Sequence, residues 1–533
     1  MDRARTWASA VAVRDGRILA VGDDETVRAS VGSRTRVVQL RGRTLAPGFG
    51  DAHVHPVLAG LGRLQCDLSG ARGLDQLLER VAAYAASHPD ATWIEGDGWS
   101  MADFPGGLPH RSELDRVVPD RPVILSSRDG HTVWVNTMAL ERAGITADTP
   151  DPADGRIERD ADGQATGALQ EGAAELVGRL VPTATAEAYV AGLRLAQAEL
   201  HALGVTNWQD AIVRRGEEEV AYTTLAGRGE LTGRVVGALW WERSRGNDQI
   251  EELVDRRART AIGRYAPTSV KLMQDGVIEN FTGAVLEPYL DRDGRPTTNR
   301  GHSMIEPSAL ADHVTRLDAL GFQPHFHAIG ERAVREALDA IEAARRANGS
   351  TDTRPHIAHI QVIHPDDVGR FGRLGVVANA QAYWACHEGQ MDELTLPFLG
   401  AERGGWQYPF RSLLDSGARL AMGSDWSVST ADPLLEMEVA VTRVSDVHRG
   451  ERAPFLPRER IELMDALAGF TNGTAWVNHL EDEVGSIEVG KAADLVVLDR
   501  DLFDREAGAI GEARVVATFI DGAAVYETPD LGG

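Results

Sequence analysis

A chain of 533 residues exceeds one ordinary core, since cores stop growing near ~250–300 residues; one large barrel with additions, or two to three domains, is expected. Its 43% hydrophobic and 25% charged residues exclude disorder as the main state, and a net charge of −25 argues against phosphate backbones and anionic lipid as partners. No apolar run approaches the ~18 residues of a membrane span, and the opening MDRARTWASAVAVRDG has no apolar core long enough for a secretory signal.

The N-terminal stretch reads as short strands. AVAVRDGRILAVG (10–22) alternates around Asp15-Gly16, a hairpin pattern, and RVVQLRGRTLAPG (36–48) follows. The C-terminus has the same texture in GSIEVGKAADLVVLD (485–499) and RVVATFIDGAAVYE (514–527). A composite β-sandwich from both ends, 1–46 with 483–533, is expected.

Between them, over 47–482, strand and helix alternate. Candidate strands are 44–55, 204–210, 233–241, 268–276, 321–330, 354–363, 375–384 and 419–427, and 331–349 has helical apolar spacing ending at Gly349. Eight strands with intervening helices point to an α/β fold, a (β/α)8 TIM barrel rather than a doubly wound sheet. The gap of about 150 residues after the first strand is too long for a structureless loop. It holds strand-like 91–99 and 121–136 and a helix near 183–203, so 57–200 is expected to be an inserted subdomain capping one barrel end.

Two residue types are scarce. Cys66 and Cys386 are the only cysteines, which makes no disulfide framework and no cysteine metal site and fits a reducing cytoplasm. Of 55 basic residues only Lys271 and Lys491 are lysine. Where arginine fills nearly every cationic position, a remaining lysine is a candidate for chemistry that guanidinium cannot do, because an amine can lose its proton and react. Lys491, in a glycine turn, reads as structural.

Five features fall at the C-terminal ends of candidate strands, where barrel enzymes carry their sites. His53 and His55, two apart on a strand, point to one side. Lys271 lies midway through the fourth strand. A buried salt bridge is the plain alternative for it; an amine in a metal site can instead add carbon dioxide, and the carbamate is an anionic ligand able to bridge two cations. The fifth strand offers His325 and His327, of equal parity, and His327 is taken as nearer the loop. The sixth offers His356, His359 and His364, and His359 is taken as lying inside the strand. Asp425 follows Gly423 and Ser424, which permit close approach. Four imidazoles, one carbamate and one carboxylate suit two divalent ions such as zinc.

This order of HxH, Lys, His, His, Asp resembles the amidohydrolase superfamily. LAPGFGDAHVHP (45–56), DGHTVWVNTMAL (129–140), ATGALQEGA (165–173), VKLMQDGVIENFTGAVLEPY (270–289), HAIGERAV (327–334), YPFRSLLDSGARLAMGSDWSV (408–428) and GSIEVGKAADLVVLD (485–499) resemble its YtcJ-like, amidohydrolase-3 branch, which includes N-substituted formamide deformylases. The resemblance implies that His53, His55, Lys271 and Asp425 hold one metal and His327 and His359 the second, with N6-carboxylated Lys271 as bridge. Such proteins carry a further strand ahead of AVAVRDGRI, so the sheet is expected to lack a strand or the natural start to lie upstream.

The implied activity is hydrolysis of an amide-type C–N bond, with a metal-bridging hydroxide and Asp425 as proton carrier. His131 is the expected substrate-polarising group. Trp99, His131, Asn136, Tyr383 and Trp384 are the candidate substrate walls; for each aromatic the plain alternative is core packing. A cyclic-amide hydrolase is the alternative enzyme; deaminases usually lack the lysine. A non-catalytic regulatory or binding protein on the same barrel is the alternative of another class. The expected partner is a small-molecule substrate in the cytoplasm, with no nucleic acid and no membrane; a homodimer is left open.

Overall fold

Eight parallel strands run side by side: β1 (Phe49–Val54), β2 (Val205–Val213), β3 (Arg234–Trp240), β4 (Tyr265–Met273), β5 (Gln323–Ala328), β6 (His356–His359), β7 (Val377–Ala380) and β8 (Arg419–Met422). They are taken from a computed structural model that describes residues 5–504 and 507–532. Every residue of β1 and β5 is buried, as expected where helices cover one face and side chains fill the other. The last strand comes back against the first just beyond the ladder: Asp425 N–H donates to the His53 carbonyl at 2.7 Å and His55 N–H to the Trp426 carbonyl at 2.8 Å. Gly423 makes this approach possible, since a Cβ there would lie 2.6 Å from the His53 nitrogen.

The helices form where the apolar spacing placed them. Ala186–Ala202 starts at Thr185, whose side chain accepts from Ala188 N–H, and Glu331–Asn348 buries Val334, Leu338 and Ile341 before stopping at Gly349. Among the described residues no helix is long and apolar enough to cross a membrane.

A second sheet interrupts the barrel after β1. It has six strands, in the order Cys66–Asp67, Ile94–Trp99, Val123–Ser127, Thr132–Val135, Ala165–Glu171 and Gly155–Arg159. Trp99, Trp134, Leu77 and Leu125 share its buried core, which also takes in Leu394 from the loops after β7. Arg128 donates to Gln390 Oε1 at 3.2 Å, and Thr282 Oγ1 to Glu171 Oε1 at 2.8 Å. Both bonds tie this sheet to loops at the C-terminal ends of the barrel strands.

The two chain ends meet. Leu45–Pro47 pairs antiparallel with Leu495–Leu498, which continues through Val515–Ile520 to Ala523–Glu527. The hairpin Ala10–Arg14 and Arg17–Gly22 packs on this sheet through Ile18 against Ile487, Ala493 and Leu495. Residues 1–4, 505–506 and 533 of the expected sandwich lie outside the described residues. Two expected strands are much shorter than read. In 36–48 only Leu45–Pro47 is extended in a ladder, because Arg41 and Gly42 turn at φ 53° and 82°. In 485–499 only Leu495–Leu498 is strand, because Gly485 and Gly490 turn at φ 81° and 93°.

Arg234, at the start of β3, joins barrel to terminal sheet. It donates to Asp494 at 2.5 Å, Asp521 at 2.7 Å and Glu483 at 3.3 Å, and the Asp494 side chain is 1% exposed. Arg234→Met keeps much of the volume but leaves a buried carboxylate unpaired, at a cost of ~3–5 kcal/mol. A urea unfolding midpoint equal to the parent's would contradict this.

Candidate functional site

The period of two on β1 turns Asp51 and His53 to one side, His55 follows just past the strand end as the cap of the next helix, and each has a defined partner. Asp51 accepts from Ser424 Oγ at 2.5 Å, Ser424 N–H at 3.1 Å and His53 N–H at 3.0 Å. It therefore pins the end of β1 to the segment carrying Asp425. Burial pushes its pKa up to about 7 against those hydrogen bonds.

His53 is engaged on both ring nitrogens. Its Nδ1 lies 2.9 Å from His325 Nε2; its Nε2 lies 3.2 Å from Asp425 Oδ1 and 3.3 Å from Lys271 Nζ. His55 Nε2 is 2.8 Å from the same Asp425 oxygen. His359 Nδ1 lies 3.8 Å from Asp425 Oδ2, and ligating atoms of His53, His359 and Asp425 fall within 4.8 Å of one another. His327 joins through ring contacts, 4.5 Å from His359 and 5.3 Å from His131 between centroids. All six expected metal-site residues thus gather at one end of the barrel, with His53, His55, Lys271 and Asp425 in direct contact.

Ladder register separates the competing histidines. His325 lies opposite Lys271, while His327 lies opposite Met273, one inward position nearer the loops. His325 therefore sits beneath His53, and its ring lies tilted against that of His356, 4.0 Å between centroids. Asn379 donates to Ala52 O at 2.9 Å and stands 3.0 Å from His356 Nδ1. This polar layer orients His53 from below. His364 caps Pro365–Leu374, accepting from Asp366 N–H.

Two of the gathered residues hold left-handed backbone, His359 at φ 75° and Asp425 at φ 53°. Such conformations persist when surrounding structure enforces them. Gln381 Oε1 accepts the His359 N–H at 2.8 Å, and the Asp425 N–H is held by β1.

The electrostatics are those of a site arranged for cations. Burial, with Lys271 and other imidazoles nearby, holds His53, His327 and His359 well below the ordinary histidine range, so they are neutral donors. Burial also brings the Lys271 amine down to about 7, against the pull of Asp425 and Asp210. Asp425 stays below the usual carboxylate range: burial opposes ionisation, but the His55 hydrogen bond and the fields of His359, His55 and Lys271 outweigh it. His55 Nδ1 and His359 Nδ1 are buried without a hydrogen-bond partner. Neutral lone pairs, a reactive amine and a carboxylate converging there fit divalent metal ions.

His131 comes to this centre from the inserted sheet. Its Nδ1 is 2.9 Å from Glu171 Oε1, and its N–H donates to Asp129 at 3.0 Å. Burial disfavours the imidazolium, yet Glu171, Asp129 and Asp425 raise its pKa to about 9. Gly276 lets Glu171 and Thr282 close in, since a Cβ would stand 2.3 Å and 1.9 Å from their oxygens. Glu171→Gln is expected to lower the His131 pKa, read by NMR titration of metal-free protein. An unchanged titration would assign the shift to Asp129 and Asp425 instead.

Two expected wall residues lie elsewhere. Trp99 is fully buried in the inserted core, donating its indole N–H to Leu125 O at 2.9 Å and meeting Phe104 edge-on. Asn136 Oδ1 accepts from Val123 and Ala139 N–H, and its amide donates to Val118 O and Arg121 O. It is a helix cap with no group left for a substrate. Tyr383 directs its hydroxyl to Asp446 at 2.7 Å. Trp384 stacks on His359 at 5.4 Å and lines a cavity with Asp129, Glu279 and Tyr408. Sequence reasoning assigned no role to Glu171, Asp275, Glu279 or Thr282, although all lie in the quoted motifs. Asp275 accepts N–H bonds from Ala284, Ile329 and Gly330 and so fixes the turn after His327.

The amidohydrolase family model (Amidohydro_3) matches residues 36–526. An N-substituted formamide deformylase of Arthrobacter pascens is 30% identical over 99% of this chain and 96% of its own length. YtcJ of Bacillus subtilis is also 30% identical, over 97% of this chain and 96% of its own. A metal-dependent hydrolase from Pyrococcus furiosus superposes with a TM-score of 0.69 at 27% identity, covering 93% of this chain and 95% of that one. A match across nearly the whole chain, joined to a parallel barrel with these residues at its C-terminal end, means that the chain belongs to the amidohydrolase family of hydrolases.

Proposed function

We propose that the protein is a metal-dependent amidohydrolase cleaving an amide-type C–N bond of the N-acyl or N-formyl amine class. The observation that carries this reading is the convergence of neutral buried imidazoles, Lys271 and ionised Asp425 at the barrel's C-terminal end. On this reading His53, His55 and Asp425 hold one divalent ion and His327 and His359 a second, zinc by the softness of the nitrogen donors. Lys271, if carboxylated on Nζ, would supply an anionic oxygen ligand to the centre. Bound there, the ions supply Lewis acidity, which lowers the pKa of a water molecule and polarises a carbonyl.

The chain's own groups do the rest. Asp425 takes the proton of the attacking water and delivers it to the leaving nitrogen. His131, with Nδ1 directed to Glu171, offers Nε2–H to the substrate carbonyl oxygen. Trp384 and the inserted sheet wall the site against bulk water, the sheet acting as the cap that shapes substrate range. The similarity to an N-substituted formamide deformylase supports the amide class.

Elemental analysis of protein purified without chelator should return two divalent ions per chain, and that protein should hydrolyse N-substituted formamides or N-acyl amines. A fully active form with one ion would overturn the binuclear centre. Metal-loaded protein that cleaves no amide would favour a binding protein on the same barrel.

A further inference from the structure

Beside the metal-site residues lies a cavity whose charge is unbalanced. Its lining includes the carboxylates Asp129, Glu279 and Glu388 and one cation, Arg128. Arg128 is already engaged, 3.7 Å from Glu388 and donating to Gln390 at 3.2 Å. Asp129 is held by the His131 N–H and by the Ser127 hydroxyl. Glu279 differs: one oxygen accepts from Thr395 Oγ1 at 3.0 Å, and among the described residues no cation forms an ion pair with it. The remaining walls are the amides of Gln361 and Gln390 and apolar or aromatic side chains, Trp384, Tyr408 and Met391 among them.

Tyr408 is the second observation. It is only 2% exposed and lines this cavity, yet its hydroxyl has no hydrogen-bond partner among the described residues. A hydroxyl on a cavity wall with no protein partner, beside a carboxylate without an ion pair, marks a place for a ligand's polar group. Tyr408, Glu279 and Glu388 line the same cavity, and both carboxylates act on the Tyr408 hydroxyl. Trp384 connects that space to the centre, since its ring stacks on His359.

Resting on the amide-hydrolase reading, we propose that this cavity binds the protonated amino group of a substrate carrying a basic nitrogen besides its scissile amide, with Glu279 as the counter-ion. The hydroxyl of Tyr408 accepts from that ammonium, and the Trp384 face attracts it. Burial raises the empty Glu279 carboxyl to about 7, and a bound cation would restore its charge. An anionic substrate would meet three carboxylates and an arginine already occupied.

The test is a matched pair of amides on metal-loaded enzyme: mono-N-formyl-1,5-diaminopentane and the neutral N-formylhexylamine. The cationic amide should be preferred in kcat/KM by ~10-fold or more, as a charge-assisted bond predicts. Glu279→Gln should collapse that ratio. Equal rates, or preference for the carboxylate N-formyl-6-aminohexanoate, would overturn the proposal while leaving the hydrolase reading intact. A separate arm measures calorimetric binding of 1,5-diaminopentane, which is doubly protonated at neutral pH. Binding weakened by Glu279→Gln in a protein that cleaves neither amide would uphold the cation site and reject the hydrolase reading. Binding unchanged by the substitution would reject the cation site.

Discussion

Lys271→Arg should lower metal content below that of the parent and reduce kcat by at least ~100-fold, since even an outer partner of a metal site costs 10–100-fold. The lysine is 2% exposed, its nitrogen stands 3.3 Å from His53 Nε2, and burial brings its amine down to about 7. A sizeable uncharged fraction at neutral pH can attack carbon dioxide. The amine proton leaves to solvent, and an anionic carboxylate remains among neutral imidazoles. Guanidinium cannot do this, and its permanent charge would be buried beside donors that already hold no proton. Lys271→Met controls for shape, because it is neutral like the amine but cannot be carboxylated. If it binds metal as the parent does, the bridge is wrong. Lys271→Ala should regain part of the lost activity with short-chain carboxylic acids. Mass spectrometry of the metal-loaded parent should find one added carbon dioxide on Lys271; an unmodified lysine in a fully metallated, active protein would refute the carbamate.

The scarcity of lysine was informative in a less direct way than its use at position 271 suggests. Lys491 donates to Glu481 O, Val484 O and Ser486 Oγ inside a tight turn. A compact tetrahedral ammonium serves that turn where a planar fork would not. A retained lysine therefore marks a place unsuited to arginine, and only the neighbouring imidazoles mark Lys271 as reactive. The barrel strands were legible because burial on both faces leaves short apolar runs at regular spacing. The inward residues followed from parity, but parity alone left His325 and His327 equal. Their separation needed the ladder register that sets His325 against Lys271.

What stayed hidden depends on pairing between distant segments. Glu171 reaches His131 because Gln170 pairs with Thr132 across an antiparallel ladder. Nothing local to either residue states that pairing. Trp99 and Asn136 misled for the converse reason: their motifs neighbour the site in sequence, while their side chains satisfy the inserted sheet's core and backbone. A count of backbone donors at the helix start of Thr137–Ala143 would have identified Asn136 as its cap.

Asp425→Asn should separate proton transfer from folding. Asparagine matches the volume and tolerates left-handed backbone, so the φ of 53° at this position is no obstacle. The Asp51–Ser424 latch and the His53 carbonyl hold the segment whichever side chain follows. The amide also keeps an oxygen for His55 Nε2, which now approaches Oδ1 at 2.8 Å. What disappears is the carboxylate that accepts a proton, so kcat should fall ~10²–10⁴-fold, the range of a lost general base. KM should move much less, because the groups proposed to meet the substrate, His131, Glu279 and Tyr408, are untouched. Metal content should be measured on the same sample, since Asp425 is also a proposed ligand. Loss of activity with both ions retained would assign Asp425 to proton transfer. Loss of activity only in step with loss of an ion would make it a ligand alone, and the proton carrier would have to be sought at His131.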